Sequence, residues 1–180
     1  MDQFFHGLYL SELDSQCRYV WRATAGLNRH LARGCTDIEG VFFCIQSILV
    51  HVASISRLLW PPKNAGDRAI KRGKELRALL EVPDEHVLRS RDVRNHIEHY
   101  DERLDAWIQE SQHHNIAVDI IGPAGVFGGP NMSQRDVFRQ FDPASLTVYF
   151  GESSCNVNEI AAGVEDLQKR IRTWQEETGA

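Results

Sequence analysis

The segment DIEGVFFCIQSILVHVASISRLLW, residues 37–60, is the strongest indication of the fold in this sequence. Wound as an α-helix, it is apolar on most of its circumference, which is typical of a helix at the centre of a bundle. His51, Arg57 and several serines interrupt the apolar run, so the segment is too polar for a membrane span. Two prolines follow it and end the helix, because proline lacks the amide hydrogen that a helix needs.

Amphipathic patterns flank this central segment. Apolar residues at spacings of three and four predict further helices over residues 3–32, 65–80, 85–113 and 156–177. Residues 115–152 change to a β-rich, glycine-punctuated pattern, with strands expected over 117–121, 137–141 and 146–150. We therefore predict a mainly α fold: a bundle of about five helices, with a small antiparallel β insertion between the last two long helices.

The composition indicates one globular domain spanning residues 1–180. The chain is 42% hydrophobic and 25% charged, a balance found in folded rather than disordered proteins. No secretory signal is recognisable, and the four cysteines form no C-x-x-C pair, which favours a reduced, cytoplasmic protein. The net charge of −5 argues against general charge-driven binding of nucleic acid. Basic residues outnumber acidic ones between positions 68 and 94, and a solvated helix surface is the favoured interpretation of those charges.

The densest group of functional side chains is the run Arg94-Asn95-His96-Ile97-Glu98-His99. On a helix, Asn95 and His99 lie one turn apart on the same face, and Arg94 is displaced by one step. An arginine, an amide and a histidine gathered in this way bind anions and move protons. The alternative is a helix surface with ordinary polar residues.

A second polar group interrupts the central helix. Ser47, His51 and Ser54 are spaced i, i+4 and i+7, and form a narrow polar stripe on an otherwise apolar segment. Burying such groups costs free energy unless they find partners. Either they bond to one another and to backbone carbonyls, or they face a polar pocket or an interface. The first interpretation is favoured.

The arrangement of Arg94, Asn95 and His99 resembles the signature of the HEPN superfamily (higher eukaryote and prokaryote nucleotide-binding domains). Many members are metal-independent ribonucleases with an R-x(4–6)-H motif on a helix of an all-α bundle, often with a polar residue after the arginine. Residues 100–105 resemble uncharacterised bacterial members. One toxin branch carries a tyrosine two positions after the histidine, where this chain has Asp101, so the regulation of that branch is not carried over.

The resemblance implies an endoribonuclease that needs no cofactor and acts as a toxin or defence component. His99 would be the general base or acid at the RNA 2′-hydroxyl, Arg94 would clamp the scissile phosphate, and Asn95 would orient one of these groups. Such enzymes are usually homodimers, and an antitoxin partner is compatible with the resemblance. As substrate-binding residues we place Arg91, His96, His51 and Ser47 beside the motif.

Two rival functions stay open. Asp92, His96 and His99 occupy i, i+4 and i+7, a spacing that places imidazoles on one metal ion, with His51 as a third nitrogen. The other rival is a non-catalytic dimeric bundle that binds a nucleotide, RNA or a protein. The ribonuclease is the favoured hypothesis, with no metal and no membrane partner.

Overall fold

The computed structural model of the protein describes residues 3–90, 100–111, 116–125, 136–151 and 153–179. Five α-helices and one 3₁₀ turn lie within these ranges. They are α1 (Gln3–Ala32), α2 (Ile38–Leu59), α3 (Asp67–Leu79), the 3₁₀ turn Val87–Arg89, α4 (Tyr100–Glu110) and α5 (Val157–Thr178). The mainly α prediction is confirmed, and the predicted bounds of α1, α2, α3 and α5 agree with these to within about two residues.

The helix α2 forms the centre of the bundle. Its apolar face is buried against α1, which runs antiparallel to it. Gly26 allows this close packing, because a Cβ atom there would lie 2.8 Å from the Sγ of Cys44. Within the described ranges, α2 is the one helix whose length and composition would suffice to cross a membrane. A core helix passes the same test, and the burial of α2 confirms the prediction that it lies in the core.

Arginines from α3 hold the C-terminal end of α2. The guanidinium of Arg72 donates to the carbonyl oxygens of Leu58 (3.4 Å) and Arg57 (3.1 Å), and Arg77 donates to that of Leu59. The last carbonyls of a helix lack partners within it and carry partial negative charge, so cations there are stabilising. We had expected Arg72 and Arg77 on a solvated helix surface. They instead join α3 to α2.

The predicted helix over residues 85–113 does not begin where we expected. Residues 85–90 contain the 3₁₀ turn, and the described helix is α4, while residues 91–99 lie outside the described ranges. The Nδ1 atom of His86 accepts the backbone amide of Leu88 (3.2 Å), which caps this turn. The turn packs against Gly163 of α5, where a Cβ atom would lie 2.3 Å from Val87 Cγ1. The turn therefore packs closely against α5 at a position where only glycine leaves room.

The β insertion lies between α4 and α5, as predicted. Its strands are β1 (Ile120–Ile121), β2 (Gln140–Asp142), β3 (Thr147–Phe150) and β4 (Ser153–Asn156), in the spatial order β1-β2-β3-β4. The pairs β2–β3 and β3–β4 are antiparallel, whereas β1–β2 is parallel. The sheet is therefore mixed, and the purely antiparallel prediction is wrong for its first pair. The long connection over residues 122–139 permits this, since parallel strands need a crossover rather than a hairpin.

The sheet belongs to the same hydrophobic core as the helices. Phe141 of β2 and Val148 of β3 are fully buried in the cluster that contains residues of α1, α2 and α5. Asp142 closes the β2–β3 connection by accepting from the amide of Ala144 (2.9 Å) and the hydroxyl of Ser145 (2.7 Å). The helices α1, α2, α3 and α5 and the strands β2 and β3 thus contribute to one hydrophobic core.

Candidate functional site

The residues of the predicted motif lie outside the described part of the chain. The catalytic prediction named Arg94, Asn95 and His99, and the binding and metal predictions added Arg91, Asp92 and His96. Before these residues, the structure describes the chain up to Ser90, which follows the 3₁₀ turn. After them, it describes the chain again from the start of α4. Their roles stay predictions, and the geometry of the candidate site comes from Ser47, His51 and their neighbours.

The two serines of the α2 stripe are satisfied within their own helix. The hydroxyl of Ser47 donates to the carbonyl oxygen of Phe43 (2.8 Å), and that of Ser54 donates to Val50 (3.0 Å). Such i→i−4 bonds are a common way for serine to meet its hydrogen-bonding needs inside a helix. Both serines therefore agree with the favoured interpretation of the stripe, in which its residues bond to backbone carbonyls. Neither hydroxyl needs a polar pocket to satisfy its hydrogen bonding.

His51 is held differently, by side chains of α1. Its Nδ1 lies 2.8 Å from Oε1 of Gln16, and the Gln16 amide nitrogen donates to Glu12 (2.7 Å). The Gln16 amide presents its oxygen to His51 because its NH₂ group points to the Glu12 carboxylate. An amide oxygen only accepts, so His51 must carry its proton on Nδ1. The ring of Tyr19 lies against the imidazole, with centroids 5.0 Å apart.

This arrangement leaves Nε2 of His51 as a lone-pair acceptor. Burial lowers the pKa of the imidazole below its usual value, so the ring is neutral at pH 7. Among the described residues, no hydrogen-bond partner is found for Nε2. A neutral, oriented imidazole with a fixed tautomer is suited to accept a proton or a hydrogen bond from a ligand. Ser47 lies one turn before it on the same helix.

We expect nuclear magnetic resonance to find His51 neutral at pH 7 with its proton on Nδ1. Long-range ¹H–¹⁵N correlations distinguish the two tautomers, and a titration should place the pKa below the model-peptide value of about 6.5. The variant Gln16→Met removes the acceptor, so the Nδ1–H preference should weaken. A proton found on Nε2 in the unsubstituted protein would contradict this geometry.

A second histidine site was missed by the sequence analysis. Nε2 of His86 lies 3.3 Å from the carboxylate of Asp166 on α5, and Arg170 Nε donates to the same carboxylate oxygen (2.7 Å). Arg170 also donates to the backbone of Glu81 (2.7 Å) at the C-terminal end of α3. The indole of Trp60 stacks on the imidazole, with centroids 5.9 Å apart. Both ring nitrogens are engaged, so this cluster joins α2, α3 and α5 rather than offering a base.

The buried His86 predicts a loss of stability in mild acid. Burial is the largest influence and lowers its pKa, against the opposing charge of Asp166. The unfolded chain therefore binds more protons near pH 6.5, and stability rises with pH there and is lost as the pH falls. Denaturant unfolding from about pH 7.5 to about pH 5.5 should show this decline, and His86→Asn should make it shallower. A free energy of unfolding that increases on acidification would contradict this.

The described residues hold no metal cluster, and burial makes three of the four thiols unreactive. No group of three or more His, Cys, Asp or Glu side chains converges among them. The four cysteines are free, and burial raises the pKa of Cys17 to about 12. Burial also raises the pKa of the Cys35 and Cys44 thiols. Because the thiolate is the nucleophile, these three side chains act as small apolar residues at neutral pH.

The structure thus brings together two of the predicted substrate-binding residues, Ser47 and His51, and adds Glu12, Gln16 and Tyr19 to them. Sequence alone gives no signal for these α1 residues, since their relation to His51 depends on the antiparallel packing of α1 and α2. His86 and Asp166 are likewise far apart in the chain. Comparison with known proteins finds no family model, no curated protein and no solved structure that matches this chain.

Proposed function

We propose that this chain is a metal-independent endoribonuclease of the HEPN type. The observation that carries the proposal is the order Arg94-Asn95-x-x-x-His99, which stands directly before α4 in a mainly helical bundle. The fold supports it in a general way, because the architecture is a helical bundle with an apolar central helix. A toxin or defence role, and a protein antitoxin as partner, belong to the same proposal, as does a cytoplasmic location.

The proposed reaction is attack by an RNA 2′-hydroxyl on the adjacent phosphorus. His99 removes the hydroxyl proton or protonates the leaving 5′-oxygen, and Arg94 stabilises the charge that develops on the phosphorane oxygens. The bond between phosphorus and the 5′-oxygen breaks. One product therefore ends in a 2′,3′-cyclic phosphate and the other begins with a 5′-hydroxyl. Asn95 orients one of these groups, and no metal ion is needed.

Substrate contacts are assigned to Arg91, His96, His51 and Ser47. For His51 the support is physical: it is neutral, its tautomer is set by Gln16, and its Nε2 is an acceptor. A ribose hydroxyl or a base NH group would suit such an acceptor. The proposal includes a homodimer in which α4 joins the interface and the motifs of both subunits line one cleft.

A non-catalytic bundle that binds nucleotide, RNA or protein is the second candidate. The net charge of −5 favours a bundle that binds a protein partner over an RNA-cleaving enzyme, because a negative net charge weakens electrostatic attraction to RNA. The metal site of Asp92, His96 and His99 is the third candidate.

One assay separates these functions. Purified protein is incubated with single-stranded RNA in EDTA, and separately with added zinc or manganese. Cleavage in EDTA supports the ribonuclease, and cleavage that requires added metal supports the site of Asp92, His96 and His99. Binding of RNA or nucleotide without cleavage in any condition supports the non-catalytic bundle.

A further inference from the structure

The second half of α1 carries a local concentration of positive charge. Residues 15–36 include four arginines and no aspartate or glutamate, although the chain as a whole has a net charge of −5. Arg18 is paired within its own helix. Arg22, Arg29 and Arg33 are exposed, and their side chains make no hydrogen bond or ion pair with the part of the chain that the structure describes. These three cations are therefore available to an anion.

The three arginines form one outward-facing stripe. They follow one another by steps of seven and four residues, which keeps them on one side of a helix, and Arg33 directly follows the last residue of α1. The buried residues Cys17 and Val20 lie on the opposite side of α1. At the helical rise of 1.5 Å per residue the stripe is about 16 Å long. It is long enough to follow a strand of several charges rather than one isolated anion.

Two exposed aromatic rings flank this stripe. Tyr19 lies one turn before Arg22 and is 48% exposed, and Phe43 of α2 is 73% exposed. Gly26 places Phe43 beside the stripe: it stands one turn after Arg22, and a Cβ atom there would lie 2.8 Å from the Sγ of the cysteine that follows Phe43. The arginines and the rings thus share one surface, which we call the α1–α2 outer face and which consists of Tyr19, Arg22, Arg29, Arg33 and Phe43.

Cations in a row beside exposed rings are how proteins bind single-stranded nucleic acid without reading its sequence, because the cations follow the phosphates and the bases stack on the rings. Arginine suits phosphate, since its planar guanidinium donates two parallel hydrogen bonds. We propose that the α1–α2 outer face binds a single strand of RNA. Its phosphates lie along Arg22, Arg29 and Arg33, and its bases stack on Tyr19 and Phe43.

The groups around the outer face set the course of the strand. Glu39 is exposed and lies one turn before Phe43, so phosphates are disfavoured along α2 and follow α1 instead. The Nε2 atom of His51, whose ring lies against Tyr19, is an acceptor for a ribose hydroxyl or a base NH group of the same strand. A duplex hides the faces of its bases, so the rings favour a single strand.

This inference deepens the proposed function, because it names the surface along which the RNA lies, and it rests on RNA being the ligand there. Its test measures binding, whereas the test of the ribonuclease measures cleavage. A chain that cleaves RNA but binds it without these arginines keeps the enzyme and removes the inference. A chain that binds RNA through the outer face and does not cleave it keeps the inference and removes the enzyme.

The salt dependence of binding tests the arginines. The dissociation constant of the full chain for a short, labelled 2′-O-methyl RNA is measured by fluorescence anisotropy in EDTA over a series of salt concentrations. This oligomer cannot be cleaved by 2′-hydroxyl attack. Arg22→Gln combined with Arg29→Gln should raise the dissociation constant by about 10-fold or more at low salt. It should also reduce the slope of log affinity against log salt by about 1.4, since each phosphate contact on a single strand contributes about 0.7.

The matched control removes two charges from the exposed side of α5. Lys169→Gln combined with Arg172→Gln changes the net charge equally and should leave the salt slope unchanged. Circular dichroism should show the same helical content for both double variants, because all four side chains are exposed.

Substitution of Phe43 tests base stacking separately from charge. Phe43→Leu keeps an apolar side chain but removes the ring, and should raise the dissociation constant by about 5-fold or more, whereas Phe43→Trp should bind at least as tightly as the unsubstituted chain. The inference is overturned if the arginine double variant binds RNA as tightly as its control, or if the leucine and tryptophan variants bind alike. It is also overturned if vesicles containing phosphatidylserine bind through these arginines and RNA does not.

Discussion

The His99→Ala variant is expected to lose RNA cleavage by a factor of about 10² to 10⁴, because that is the usual contribution of a positioned general acid or base. The imidazole of histidine is the side chain whose ordinary pKa allows proton transfer in both directions near neutral pH. A loss of this size is unmistakable in a gel assay of single-stranded RNA. The assay is run in EDTA, so that a contaminating metal-dependent nuclease does not contribute.

Two further substitutions separate the catalytic roles from a general loss of structure. Arg94→Ala should do comparable damage, since it removes the proposed phosphate clamp, while His96→Ala should be milder if that residue only binds substrate. Circular dichroism should show the same helical content for all three variants. Cleavage that survives His99→Ala unchanged would reject the assignment and leave the non-catalytic bundle as the better account.

The Phe141→Ala variant is expected to lower the free energy of unfolding by about 3–5 kcal/mol, the range for a fully buried phenylalanine. Phe141 is on β2, yet it belongs to the core that the helices form. Its removal should therefore destabilise the whole molecule and not only the sheet. Denaturant titration followed by the circular dichroism signal of the helices measures this. A loss of helical stability would show that the substitution in the β insertion destabilises the helices as well.

The matched comparison for Phe141 is an exposed apolar residue of the same insertion. Val118 is 44% exposed, and Val118→Ala should change the free energy of unfolding by less than about 0.5 kcal/mol. If Phe141→Ala leaves the helical transition in place and only alters the sheet, the β insertion is an independent unit. The single shared core described here would then be wrong.

The helices were predictable where one face of the segment is buried along its whole length. In α1, the buried residues Leu10, Leu13, Cys17, Val20 and Leu27 step by three, four, three and seven, which is the helical period itself. Asp37 stands at the start of α2, where its side chain accepts the amide of Gly40, and aspartate is a residue type that favours this N-cap position. The prolines after Trp60 marked its end. Such signals are local, and they need no knowledge of the tertiary structure.

The remaining differences arise from tertiary contacts. The 3₁₀ turn at 87–89 packs against Gly163, which is distant in sequence, and the helical pattern at residues 85–90 carries no information on such a contact. The strand β4 has the polar sequence Ser153-Ser154-Cys155-Asn156, which lacks the apolar alternation of a recognisable strand, and it forms by pairing with β3. The alternation of apolar and polar residues within a single strand also does not predict its direction relative to its neighbour, as in the parallel β1–β2 pair.

In the candidate site, too, local features were predictable from the sequence and tertiary contacts were not. The sequence shows a histidine, His51, on an otherwise apolar helix. Its tautomer and its available nitrogen follow from Gln16 and Glu12, whose relation to it requires the packed helices. The arginines of α3 were visible as charge, but their use at the end of α2 depends on where that helix ends in space.

The central claim is that this chain cleaves RNA by 2′-hydroxyl attack, and the chemical end of the product tests it most directly. Mass spectrometry of a short RNA digested in EDTA identifies that end. The account predicts fragments ending in a 2′,3′-cyclic phosphate, or in the 3′-phosphate formed from it, and their absence with His99→Ala. It is contradicted by fragments with a 3′-hydroxyl and a 5′-phosphate, by activity that appears only with zinc or manganese, or by RNA that remains intact.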